Sequence, residues 1–243
     1  LEMLDVPTPL VLPFGFFPTE ARRRSGIIIP TYGNNFERGY FLKDGGYYWA
    51  TNEFMDMTFR GEIYTMGGWG LRVQSNYRKR YRYRGNLSVN FNRIKYGEES
   101  FLENGGSFRN STDFNIRWSH NQDPKARPDL RFSANVNLAS ASYFQNTQQT
   151  ANQVLTSQMQ SNVSIQKSWQ GRPYSLSMNL RHSQNNQQKT IALTLPQLSF
   201  NVNRFYPFKF GTQIGEDTWY EKIGMNYSFQ AENRIDGRMD EAL

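Results

Sequence analysis

The sequence predicts an all-β chain, an antiparallel transmembrane β-barrel fragment of about eleven strands from a larger up-and-down barrel. Three observations predict it. Apolar and polar residues alternate with a period of two along most of the chain, and Leu130 to Leu138 is the cleanest case. Turn signals recur about every 20 residues, which is hairpin spacing and leaves no room for crossover helices. Aromatic residues make up 15% of the chain although its mean hydropathy is only −0.73. Barrels have such a mix, because they need aromatic girdles around a polar interior. A soluble β-sandwich that binds polyanions shares the alternation. It would pack its apolar faces together and expose no tall apolar band.

Residues 1–24 read as a proline-rich linker, because Pro7, Pro9, Pro13 and Pro18 cannot sit in a central strand or a helix. Its apolar residues, Leu10 to Leu12, Phe14, Phe16 and Phe17, imply that it packs on something. Residues 25–243 read as the first part of the barrel. The strands fall at 26–32, 39–49, 55–65, 69–78, 83–95, 108–120, 129–142, 159–169, 174–183, 190–204 and 219–233. In the third, Met55, Met57, Phe59 and Ile63 oppose Asp56, Thr58, Arg60 and Glu62. In the fourth, Trp69, Leu71, Val73 and Tyr77 oppose Arg72, Gln74, Asn76 and Arg78. The chain starts at Leu1 without an initiator Met and ends on Leu243 just after a strand pattern, so it reads as a segment of something longer.

The connections differ in kind. Asp123 to Pro128 and Gln170 to Pro173 are short and proline-stiffened, whereas Tyr143 to Gln158 is long and polar. Strand parity puts both proline turns at one end and the long loop at the other, as in barrels with short periplasmic turns. Trp49, Trp69, Trp118, Trp169 and Trp219 fall at predicted strand ends, the height at which a membrane interface favours tryptophan. Lys and Arg lie mostly on the polar face or in turns. Lys167 is the exception, near a strand end where its ammonium can snorkel. The net charge of +7 calls for an anionic partner. The chain has no cysteine, so no disulfide supports it.

The first eighty residues carry a sharper signal. The run Arg22-Arg23-Arg24-Ser25-Gly26-Ile27-Ile28-Ile29-Pro30 is followed by Gly39, Tyr47-Tyr48-Trp49, Asp56-Met57-Thr58, Tyr77-Arg78 and Gly85. This pattern resembles the start of the barrel in the LPS-assembly family LptD. Leu195 to Phe200 and Tyr206-Pro207-Phe208 are similar to divergent, Bacteroidota-type members. The resemblance implies a periplasmic jellyroll ahead of the linker and a barrel of about 26 strands in the outer membrane of a Gram-negative bacterium. It also implies lipopolysaccharide as cargo, an LptE-type plug lipoprotein in the lumen, a periplasmic LPS-transport bridge, and a lateral gate between first and last strands. It implies no cofactor, metal or nucleic-acid partner.

Residue by residue, the gate falls on Pro30, which has no N–H to donate, and on Gly45 and Gly46 in the second strand. The family's second proline corresponds to Gly46 here. Arg22, Arg23, Arg24, Arg60, Arg72 and Arg131 are candidates for the LPS path, with Arg117 and Arg181 as further luminal cations. The alternative is pairing with Asp56, Glu62 or Asp113. A different large barrel, such as a solute channel, is the competing function. An enzyme is disfavoured: the only two histidines, His120 and His182, stand among Ser and Asn without an acidic neighbour, and no catalytic or metal-ligand spacing appears. The basic stretch Arg78 to Arg84 has a nucleic-acid-like composition, and in a barrel it is a turn with interfacial tyrosines.

Overall fold

The computed structural model describes residues 2–3, 6–7, 23–36, 38–96, 109–140, 142–143, 158–186, 188–209 and 218–238. Two short strands, β1 (Glu2–Met3) and β2 (Val6–Pro7), pair with each other alone. All other strands join one antiparallel sheet of twelve. They are β3 (Gly26–Ile28), β4 (Thr31–Asn35), β5 (Gly39–Asn52), β6 (Met55–Tyr64), β7 (Gly68–Lys79) and β8 (Tyr83–Tyr96). Then follow β9 (Arg109–Gln122), β10 (Leu130–Ala139), β11 (Gln158–Ser168), β12 (Tyr174–Asn185), β13 (Thr190–Phe205) and β14 (Met225–Arg238). From β5 onward each strand pairs with the one before it, while β3 and β4 both pair with β5. The sheet is an open meander, a barrel fragment whose edges β3 and β14 do not meet. Among the described residues the elements are strands, and Tyr143 alone has a helical conformation.

Register turns the alternation of each strand into two continuous faces. Tyr47, Phe59, Val73, Val89, Ile116 and Leu138 form one row across six strands. Phe132, Ile165, Met178, Leu198 and Ala231 continue the same face across the other strands. On the reverse side a row runs from Asp56 through Asn76, Asn86, Ser119, Asn135 and Asn162 to Arg181. A slip of one residue would exchange the faces, so the sequence holds this register firmly.

The apolar face is not packed away. Tyr47, Leu71 and Phe229 remain 45%, 45% and 49% exposed. The buried hydrophobic residues among those described are Ile94, Ala134, Ala139, Tyr143 and Met159, far fewer than a soluble domain of this length buries. A β-sandwich would have covered this surface, and a lipid-facing wall leaves it bare. The apolar band therefore excludes the sandwich reading.

Three strand boundaries differ from the sequence expectation. The first strand is two, β3 and β4, because Ile29 and Pro30 have no ladder partner on β5. The last strand starts at Met225 and not at 219, so Trp219 lies in a turn and is 78% exposed, not at a strand end. Its ring packs edge-on against Tyr220. The tenth strand stops at Ala139, short of 142, where Ser140 and Ser142 fold back onto β9. Pro196, inside β13, falls where the β13–β14 register shifts between Thr194 and Gln197. A strand accepts proline at such irregularities because no ladder donor is lost there.

Candidate functional site at the first hairpin and the polar face

Pro30 and the paired glycines come together. Ile28 pairs with Gly46 and Thr31 with Lys43, so Pro30 stands against Asp44 and Gly45 without a ladder bond. A Cβ on Gly45 would lie 2.7 Å from Pro30 Cβ, so the absent side chain is what seats the proline ring. A Cβ on Gly46 would lie 1.8 Å from the Phe59 carbonyl oxygen, so only glycine allows β5 and β6 to approach this closely. At the same level β5 carries an extra residue against β6, because the register shifts between Leu42 and Gly45. Asp44 sits in that bulge with φ +57°, a left-handed conformation that Asp tolerates better than most residues.

The bulge turns Asp44 toward the polar face. Its Oδ1 accepts from Arg72 Nη1 at 3.1 Å and lies 3.9 Å from Arg60 Nη1. Arg72 Nε donates to Asn90 Oδ1 at 3.0 Å. Two of the predicted path arginines thus converge on one carboxylate beside Pro30. That carboxylate is neither Glu62, Asp56 nor Asp113, and sequence reasoning missed it. The Asp44-Gly45-Gly46 run inside a strand pattern was the available signal, since such a run marks a bulge.

Arg23 belongs to a second cluster. Its Nη1 donates to Asp56 Oδ2 at 2.7 Å, and Asn76 Nδ2 donates to Asp56 Oδ1 at 3.2 Å. Asp56 is buried and its carboxylate is satisfied from both sides. Two residues on, Ser25 Oγ accepts the Ala50 N–H at 2.9 Å, so the chain is fixed to the sheet just before β3 begins. Arg24 is exposed, and Arg22 lies outside the described residues. Arg131 is exposed on β10 opposite Gln166, several strands from the Asp44 cluster, and the fold does not bring it there. Arg117 and Arg181 also lie on the polar face, in the rows of Ser88 and Asn162. Asp113 is buried and takes hydrogen bonds from Ser111 and Ser142.

The aromatic residues are arranged by height. Trp49 and Trp118 fall in one register row through Met57, Ser75 and Leu87. Trp118 Nε1 donates to Tyr77 Oη at 2.9 Å, and that hydroxyl has its own proton to give to His120 Nδ1, also 2.9 Å away. Tyr77 faces Gly85, and a Cβ there would lie 2.3 Å from Tyr77 Oη. Glycine is therefore the residue that lets the ring lie across β8 and reach β9. Trp69 stands near the other end of the sheet and packs on Phe91 at 5.3 Å. Trp169 follows β11, and Lys167 Nζ lies 5.1 Å from the centre of its ring. The exception to the charge pattern thus ends against an aromatic ring at the strand end.

His182 makes no catalytic pair. The Ser161 hydroxyl is 3.4 Å from His182 Nδ1, but it donates to Asn137 O at 3.1 Å and accepts from Asn137 N–H at 2.9 Å. Ser161 replaces a ladder bond where the β10–β11 pairing stops at Asn135 and Asn162. Among the described residues, no group of acidic, histidine or cysteine side chains could hold a metal ion.

The meander, its bare apolar band and the Pro30 interruption accord with one comparison. A family model described as "LptD protein" matches residues 1–242. The chain belongs to the LptD family. This makes it a component of lipopolysaccharide transport at the outer membrane of Gram-negative bacteria, and the family is one of transport components, not enzymes. No curated protein matches the chain. Several residues that carried the resemblance now have physical roles in this LptD chain. Pro30 interrupts the first strand, Asp56 fixes Arg23, and Gly85 makes room for Tyr77.

Proposed function

We propose that this chain forms the first part of a barrel that delivers lipopolysaccharide through a lateral gate at its first strand. The apolar face lies against lipid, sugars pass along the polar face, and acyl chains leave where β3 and β4 form the edge. Residues 1–24 join the barrel to a periplasmic jellyroll that receives cargo from the transport bridge, and an LptE-type lipoprotein occupies the lumen. The observation that carries the gate is the broken ladder at Ile29 and Pro30, set against the Asp44 bulge. A strand that holds its neighbour by three pairs on one side of a break and five on the other separates at lower cost than an unbroken one. The arginines Arg60 and Arg72 serve the path by holding the bulge through Asp44, while Arg23 and Arg24 mark where cargo meets the barrel.

The test is Pro30→Ala in the full-length protein of the native bacterium. Alanine restores a backbone donor, and the expected outcome is slower appearance of lipopolysaccharide at the cell surface with normal barrel assembly. Unchanged surface lipopolysaccharide would count against the gate.

A further inference from the structure

The β7–β8 hairpin closes through Arg78 to Arg84, and five of these seven residues are cationic. Two of the five rest on rings. Lys79 Nζ lies 4.9 Å from the Phe54 ring centre, and Arg80 lies 4.9 Å from that of Tyr81. Arg78 and Arg84 are different. They are register partners, so both side chains leave the polar face side by side. Like charges directly opposite each other weaken a ladder. Among the described residues no carboxylate pairs with either of them, although Asp56 nearby pairs with Arg23.

These two arginines open onto a pocket of about 440 Å³. Arg23, Asn76, Asn86 and Asn121 also line it. Arg23 is neutralised by Asp56, which also takes the Asn76 amide, and this leaves two guanidinium groups without an ion pair beside the side-chain amides of Asn86 and Asn121. Two guanidinium groups side by side complement a phosphate, which they grip bidentately. Position narrows the source. Lys79 and Tyr83 point to the apolar face at the same level, where a bilayer phospholipid headgroup would meet them. Arg78 and Arg84 point to the other side.

We propose that Arg78 and Arg84 form a phosphate-binding site on the polar face, which takes a phosphate on the sugar head of the transported glycolipid. The site rests on the reading that the polar face is the glycolipid's path. It also accounts for a like-charged pair that the hairpin would be better without.

The experiment uses the full-length protein in its native bacterium, with a photoreactive residue introduced at Asn121 in the pocket or at Gln74 deeper on the same face. Lipopolysaccharide is expected to crosslink at both. The Arg78→Gln, Arg84→Gln double variant should reduce the Asn121 adduct roughly tenfold, and dephosphorylated glycolipid should reduce it equally in the unaltered protein. The variant's thermal stability should be unchanged or higher, because a repulsion is removed. An undiminished Asn121 adduct in the variant, or a clear fall in its stability, would overturn the proposal. With the purified full-length protein in bilayers, competition for the Asn121 adduct by inorganic phosphate or phosphatidylglycerol vesicles as effective as competition by the glycolipid would overturn it too. Crosslinking at Gln74 alone sinks the phosphate site and leaves the transport reading intact. Crosslinking at neither sinks both.

Discussion

The first and central hairpins of this sheet are built to different standards. β7 and β8 pair without interruption from Gly68 opposite Ile94 to Lys79 opposite Tyr83, and β8 continues unbroken against β9. The first hairpin pairs in two short pieces around Pro30, with a bulge on its other side. Both hairpins use glycine, but for opposite ends. Gly85 admits the Tyr77 ring, whose hydroxyl ties β7 to Trp118 and His120 on β9. Gly45 admits a proline ring that donates nothing. Of these two hairpins only the first is interrupted, and the β7–β9 strands behind it pair without a break; other irregularities lie farther along the sheet, at β12–β13 and β13–β14. The gate proposed above draws on this contrast, because an edge that opens must not propagate inward.

The largest effect on this contrast should come from Gly46→Val. The added side chain meets the Phe59 backbone, and about 3 kcal/mol or more of strain is expected. Heat-modifiable mobility of the purified full-length protein should show loss of the folded form. Gly237→Val is the matched control, since nothing lies within 4 Å of a Cβ there. Its stability should move by less than about 0.5 kcal/mol. Equal damage at both sites would mean that glycine is required for strand entropy and not for close approach.

Next comes Tyr77→Phe in the central hairpin. It removes the acceptor for Trp118 Nε1 and the contact to His120, and should lower stability by about 1 kcal/mol. The Trp118 emission should shift as its N–H loses a partner. An unchanged unfolding midpoint would show that the ring's packing, and not its hydroxyl, carries the tie. The smallest effect belongs to Asp44→Asn. The Asp44 carboxylate is 49% exposed, so losing its attraction to Arg72 and Arg60 should lower global stability by only about 0.5 kcal/mol. Backbone amide exchange should rise in β3 to β5 and stay constant in β7 and β8.

The faces of the sheet were legible in the sequence because a period of two survives on nearly every strand. Lys167 against Trp169 shows how far that reading reached: the exception it named lies at a strand end, whereas Lys79 and Arg93, which share the apolar face, went unnoticed. Where two residues oppose one, the reading lost ground. The Asp44 bulge leaves no trace in alternation, so the partner of Arg60 and Arg72 was sought among the carboxylates of the regular polar face. Trp219 was misplaced for a related reason. Trp219, Tyr220 and Ile223 are apolar enough to extend the pattern of β14 backward, yet the chain turns there through Glu221 and Ile223 backbone bonds. The gathering of Arg78 and Arg84 around Arg23 depends on register between distant segments, which no local pattern encodes.

The contrast between the two hairpins is tested most directly by hydrogen exchange on the full-length protein in bilayers, comparing amides of Gly26 to Asn35 with those of Gly68 to Tyr96. The broken ladder predicts exchange in the first segment that is faster by at least about a factor of ten, equivalent to about 1.4 kcal/mol in opening free energy. Pro30→Ala should narrow that gap. Equal protection of the two segments would contradict the existence of a weak seam at the first strand.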